Sequence, residues 1–313
     1  MLSNLRSITL SLLYAYFIGV VLFQYIIITV ESDLINYTRN LDNLANDNDL
    51  LTGDLGSLAF YAILSAVSET MPAEISDSTS ILALVAGFNA FLIAYCIFKP
   101  IGSLRRLIVL IPVLLCFLLS PKVMDLIVSN LRGGFSLAFF VFAMTLRSNI
   151  SKYSVILISI LIHQSAIFLL VWLLLYRAQQ AIPLFTNSPK IKAGIVILLF
   201  APILVTISSL VYQSYEWQNG ALYTFMLFCL LFLFIVVDRR VVLTEEGFIA
   251  IATLFSLIVA FLIDYASIRL LSWALIFYLL FAVKHLSDRA TQSLFVFYLP
   301  MFSVMLFYWL GNY

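Results

Sequence analysis

Charge is what this chain has least of. Asp, Glu, Lys and Arg make up 11% of its 313 residues, and the net charge is only +1. A soluble domain carries about 25% charged residues. The net charge says nothing about nucleic acid, but no basic tract interrupts the sequence, so nucleic acid is not expected as a partner. Cysteine is nearly missing too. Cys96, Cys116 and Cys229 each lie within an apolar segment, at no metal-ligand spacing, and read as buried small hydrophobes. With no Cys-x-x-Cys, no His-x-x-x-His and no Walker glycine loop, a bound metal, any other cofactor and a nucleotide-driven pump are all unexpected. The sequence also lacks an internal repeat and a low-complexity linker.

What it has in abundance is apolar surface. Hydrophobic residues reach 63%, with 27 Phe and 16 Tyr, and the mean hydropathy is +1.08. Soluble chains are nearer 45–50% apolar, at roughly that level whatever their fold. The runs approach the ~20 residues that cross a hydrocarbon core as helix, and none alternates as a barrel strand would. The fold class is therefore all-α, a polytopic transmembrane helical protein with about 9–11 membrane segments. The segments are 8–30, 57–70, 80–98, 107–120, 123–146, 154–176, 193–213, 221–237, 247–263, 267–283 and 293–310. Ile8–Val30 exceeds a signal-peptide core and lacks an Ala-x-Ala-like site, so it reads as a retained first span. Residues 1–313 read as a single integral membrane domain. Within it, 31–79 form an outer loop, acidic and Asn-rich at first, then carrying an interfacial helix with Leu58, Tyr61, Ala62 and Ser65 along one stripe.

Two segments resist assignment as spans: 57–70 is short, and His163-Gln164-Ser165 interrupts 154–176. The distribution of basic residues arbitrates. If 57–70 stays on the outer face, 121–132 is an outer connection and 154–176 is a re-entrant hairpin, then every Lys and Arg except Arg39, Lys122, Arg132 and Arg269 falls inside. A full crossing by 154–176 flips every later loop and gives the charge rule a poor topology. The favoured arrangement leaves Arg132 and Arg269 outside and places His163 at a hairpin tip, where a polar pocket opening outward would accommodate all three.

Ionisable residues at membrane depth have a partner, a cavity or a task. Arg132 is either a snorkelling side chain at a helix end or an anion ligand. Gly133-Gly134 behind it favours the second, because a glycine-lined helix start lets a ligand approach free N–H groups. His163, with Gln164 and Ser165, is either a satisfied interior group or part of a polar site. His285 lies in a Lys284–Arg289 loop and is assigned no role. Asp264 and Arg269 bracket a short turn as a surface ion pair or as a cation oriented toward the cavity. Glu216, in an aromatic and amide-rich loop, suits either sugar binding or an interfacial belt.

These positions together resemble bacterial polysaccharide polymerases of the EpsG/Wzy type, which act on O-antigen, capsule or exopolysaccharide. The matching residues are Asp33 and Tyr37 just after the first span, Arg132 opening a middle helix, the basic turn Arg147–Lys152, His163 with Ser165, and Arg269. They are sparse but run over about residues 8–283. Gly133-Gly134-Phe135 departs from the Gln and Ala that commonly follow the family's Arg, and Asp54-Leu55-Gly56 from its Glu-Pro-like helix start. The departures bear on subfamily and substrate more than on class.

The resemblance implies a GT-C-like membrane glycosyltransferase of the bacterial inner membrane with its active site facing the periplasm. It would transfer glycan from undecaprenyl diphosphate onto the next lipid-linked oligosaccharide repeat. The lipid bilayer and a chain-length regulator and flippase of the same pathway would be its surroundings. The resemblance makes His163, Arg132 and Asp33 the expected catalytic residues and Arg269 and Tyr37 expected substrate contacts, and the local reading adds Gly133, Gly134, Gln164, Asp264 and Glu216 as substrate-binding candidates. Arg132 and Arg269 would stabilise the departing diphosphate. His163 is the first choice as proton acceptor, ahead of Asp33 and Glu216, with a simple diphosphate contact as its other role. A transporter or flippase of the same lipid, an O-antigen ligase and an O-acyltransferase are the competing readings. The first would be marked by an internal repeat and the ligase by a longer late outer loop.

Overall fold

The computed structural model describes residues 2–22, 37–38, 55–72, 77–128, 130–181, 188–211, 220–238, 240–262 and 269–287, with 290, 293 and 298–299. All regular structure among these residues is helical. Among the described residues, three helices are long and apolar enough to cross a bilayer, at Ser78–Phe98, Pro189–Ser208 and Glu245–Leu262. Contacts divide the chain into two compact units. The first is Met1–Gly102 with Met124–Ile167 and Gly311–Tyr313, and the second is Ser103–Val123 with Phe168–Leu310.

The first unit holds α1 (Leu2–Tyr16), which runs on as a π-helical turn (Phe17–Leu22), then α2 (Leu55–Thr70) and α3 (Ser78–Phe98). It also holds most of α5 (Pro121–Val128), all of α6 (Leu131–Ala143) and all of α7 (Asn149–Ile162). α3 is its centre, packed by α1 on one side and α6 on another, while α7 joins α6 to α2. Glycine sets the α1–α3 spacing. A Cβ on Gly19 would lie 3.1 Å from the Ala83 carbonyl oxygen, and one on Gly87 3.4 Å from that of Ala15. Small residues of this kind let membrane helices approach closely where no hydrophobic force separates helix from lipid.

The polar connections write the helix starts. Asp77 caps α3, its carboxylate accepting from the Ser80 backbone at 3.0 Å. Hydrogen bonds from the Ser80 side chain and backbone hold the Asp77 carboxyl below the usual carboxylate range. Ser148 caps α7 in the same way through Ser151 N–H. α2 buries a different set of residues from the stripe that would face the membrane interface. Phe60, Tyr61 and Leu64 form its buried face, Ala62 is exposed and Ser65 is half-buried, while the side chain of Leu58 lies outside the described residues. The face is displaced because α2 packs on α7, whose apolar surface draws the bulkier Phe60 and Leu64 inward.

The second unit holds α4 (Leu104–Leu118), α8 (Ala166–Ala181) from Phe168, α9 (Pro189–Val211), α10 (Gly220–Val237), a 3₁₀ turn (Val241–Leu243), α11 (Glu245–Leu262) and α12 (Arg269–His285). α11 is central and packs against α9, α10 and α12. The span in α11 is 72% buried within the protein, whereas that in α9 is 28% buried. An all-round apolar helix can be either interior or lipid-facing, and only packing separates the two. α9 turns Leu198, Leu199, Ile203 and Ile207 outward, and on α10 Cys229 is exposed rather than buried.

The charged ends of this unit gather together. At the start of α4, Arg106 Nη2 donates to the Val283 and Leu286 carbonyls at the end of α12, at 2.9 and 3.0 Å. Lys284 pairs with Glu246 in the first turn of α11, and His285 Nε2 stands 3.6 Å from the same carboxylate. His285 is thus the last residue of α12 rather than a loop residue. Beside Glu246, Glu245 accepts from Arg177 Nε and Nη2 near the end of α8, at 3.2 and 3.0 Å. The start of α4, the end of α8, the start of α11 and the end of α12 therefore lie at one end of the unit.

Candidate functional site

The long apolar run 123–146 is broken near Asn130 into α5 and α6, and the break decides where Arg132 stands. Asn130 is the N-cap of α6 with φ −94° and ψ 59°, and its side chain makes no cap bond. Arg132 is half-buried in the first turn, flanked by buried Leu131 and Gly133. The two glycines belong to packing. A Cβ on Gly134 would collide with the Leu126 carbonyl oxygen of α5, and one on Gly133 would stand 2.5 Å from Asn130 Nδ2. Their open faces are occupied by α5 and by the Asn130 amide, so glycine allows α6 to begin against its own preceding helix. From α3, Asn89 Nδ2 donates to the Leu131 carbonyl at 3.3 Å. Arg132 thus projects from a turn held on two sides.

α6 and α7 are locked by a reciprocal serine pair. Ser136 Oγ donates to the Ser159 carbonyl at 2.8 Å, and Ser159 Oγ donates to the Ser136 carbonyl at 2.7 Å. Both residues are fully buried. The helices are antiparallel across the short 144–148 connection, so this register has a direct consequence. Arg132 lies four residues before Ser136, and His163 lies four residues after Ser159. Each is about 6 Å further along its helix, so the two stand at the same level. Ser136→Ala and Ser159→Ala are each expected to destabilise the protein by about 0.6 kcal/mol, and at most about 1.7. Together they should cost less than the sum, because both remove parts of one motif. Unfolding of the purified protein in mixed micelles measures the cycle, and strict additivity would reject the coupling.

The interruption expected at His163–Ser165 is present. α7 ends at Ile162, His163 is extended at φ −153° and ψ 116°, and α8 begins at Ala166. His163 is buried, and Gln164 and Ser165 are half-buried. The local hydrogen bonds assign the imidazole tautomer. Ser165 N–H donates to His163 Nδ1 at 3.1 Å, and Ser165 Oγ lies 2.6 Å from the same nitrogen. A backbone N–H can only donate, so Nδ1 is the acceptor and the neutral ring carries its proton on Nε2. In this geometry the neutral His163 ring carries its proton at Nε2, and its one lone pair is already engaged.

No family model, curated protein or solved structure matches the chain.

Tyr37 is tied to the same region. Its buried ring stands 5.7 Å from that of Phe60 and 6.5 Å from that of Tyr61, and Phe60 stands 6.1 Å from Phe135 in the first turns of α6. Tyr37, Arg132, Gly133, Gly134, His163 and Gln164 thus all belong to the first unit. Asp33, Glu216 and Asp264 lie outside the described residues, as does the side chain of Arg269, whose backbone opens α12. Sequence reasoning missed Asn89, Asn130, Ser136 and Ser159. The signal for Asn130 was its position immediately before a helix-opening Leu-Arg-Gly-Gly. Asn89 stood in the middle of an otherwise apolar span, and a buried amide there was itself a signal.

Proposed function

We propose that the protein is a membrane glycosyltransferase that polymerises polyprenyl-diphosphate-linked oligosaccharide repeats into long surface polysaccharide. The observation that carries this reading is the α6–α7 register, which sets a helix-opening arginine level with a histidine at a helix break. A departing lipid diphosphate needs cations and hydrogen-bond donors arranged before it leaves. Arg132 supplies a guanidinium suited to bidentate phosphate contact, and His163 supplies Nε2–H. Arg269 is carried over from the family resemblance as a further cation and Tyr37 as a substrate contact, and Gln164 adds a donor beside His163. The tautomer of His163 favours its diphosphate contact over a role as base. The proton acceptor for the attacking sugar hydroxyl is then a carboxylate, with Asp33 and Glu216 the sequence candidates.

Sidedness is supported by the charged end of the second unit. Arg106 and Arg177 share that end through Lys284, Glu246 and Glu245. If α4 and α6 each cross the membrane, a single crossing by α7 and α8 together would carry Arg177 to the opposite face. Their shared end is consistent with a return at His163–Ser165, while an outward-facing Arg132, the bacterial inner membrane and a periplasmic active site are carried over from the sequence reading and the family resemblance.

Deleting the gene is expected to leave surface glycan at one repeat unit, with long chains restored by the wild-type gene. Unchanged long-chain glycan in the deletion strain would reject the polymerase, and complete loss of even the single repeat would favour a flippase acting earlier.

A further inference from the structure

The first turn of α6 is a buried helix start that its own cap residue does not close. The first intrahelical bond runs from Gly134 N–H to the Asn130 carbonyl, so the three N–H groups of residues 131–133 have no acceptor within the helix. An asparagine at this position ordinarily turns its side-chain oxygen onto one of those groups, as Asp77 and Ser148 do for their helices through their own oxygens. Asn130 does not. Its side chain is nonetheless inside the protein, with the residue 5% exposed, and among the described residues its Nδ2 has no hydrogen-bond partner. That nitrogen lies over the same turn, 2.5 Å from where a Cβ on Gly133 would be. A buried amide donor and a buried set of helix-start donors thus share one place, with Arg132 second in the helix. Leaving the buried Asn130 amide dry is unfavourable, and an anion held at the helix start satisfies it.

We propose that Asn130 is an anion-binding residue, and that its amide and the N-terminal N–H groups of α6 together hold a phosphate oxygen of a diphosphate. The identity of the anion as a diphosphate rests on the glycosyltransferase reading, whereas the site rests on the α6 start alone. Asn130 contacts substrate directly in this role, and Asn89 is a positioning residue. The fully buried Asn89 fixes the turn through its bond to the Leu131 carbonyl.

Asn130→Asp separates binding from capping. Aspartate caps a helix at least as well as asparagine, so a purely structural role survives the change, while the carboxylate removes the donor and repels an anion. The full-length protein, purified in a neutral detergent, is titrated calorimetrically with inorganic pyrophosphate and with farnesyl diphosphate. The wild type is expected to bind both, and Asn130→Asp to bind them at least about tenfold more weakly without a lower melting temperature. Asn130→Ser, which keeps a capping oxygen and lacks the amide, should weaken binding in the same direction and serves if the aspartate variant does not fold. Tighter binding of farnesyl diphosphate than of pyrophosphate assigns the site to a lipid-linked diphosphate, and equal binding assigns it to a free one; both support the site. Wild-type protein that binds neither ligand overturns the proposal, as does unchanged affinity in the variants. Diphosphate binding that depends on Asn130, in a protein whose deletion leaves long glycan, retains this site and discards the polymerase. Loss of long glycan on deletion, with affinity indifferent to Asn130, does the reverse.

Discussion

Cells carrying Arg132→Ala are expected to display glycan of a single repeat, with polymerisation slowed about 10²–10³-fold and the protein still made and inserted. The size of the effect follows from the role proposed for Arg132. Loss of one preorganised donor to a developing negative charge removes about 2.7–4 kcal/mol of transition-state stabilisation. The fold should tolerate the change, because alanine is the best helix former and Arg132 is a half-buried residue in the first turn of α6. Arg132→Lys keeps the charge and loses the planar fork, so it should give short chains rather than none. Glycan length on a gel, read beside the amount of protein in the membrane fraction, checks all three. Long chains from Arg132→Ala would remove Arg132 from the chemistry, and equal activity of the lysine and alanine variants would show that charge plays no part.

Gly134→Ala should damage the same site through the backbone. The new methyl would collide with the Leu126 carbonyl oxygen and crowd Asn89 Nδ2, 3.2 Å away. The first obstacle is main chain in a neighbouring helix, so relief requires α5 and α6 to separate. Overpacking of this kind costs about 1–3 kcal/mol. Because Arg132 and Asn130 sit on the displaced turn, activity should fall by more than the loss of folded protein accounts for. Gly133→Ala is the milder control, since its methyl meets the end of the Asn130 side chain. Melting temperature together with activity per folded molecule separates the two variants, and an unaltered melting temperature for Gly134→Ala would show that the α5–α6 contact yields freely.

Much of the fold was legible because it follows from local chemistry. The break at His163–Ser165 could be read from three polar residues in an apolar run. On α2 helical spacing gives a period, while which face is buried in the protein depends on what the helix packs against. The glycines after Arg132 suggested room for a ligand, yet that space is taken by Leu126 and Asn130. Cys229 had no local mark of exposure, since lipid and protein interior are alike to a thiol.

Composition alone made this a helical membrane chain, since so little charge and so much apolar surface leave no other way to satisfy the backbone. It also singled out Arg132 and His163, because ionisable groups in such a chain stand out by rarity. Their meeting was decided only by the tertiary structure. The reciprocal bond between Ser136 and Ser159 fixes one antiparallel register, and a shift of one residue along either helix would move the two apart by rotation as well as rise. The tautomer of His163, the unclosed turn beneath Asn130 and the gathering of Arg106, Arg177, Glu246 and Lys284 are likewise matters of which surfaces meet. Side-chain pairing across helices has no period in sequence, and that is why it had to be seen in three dimensions.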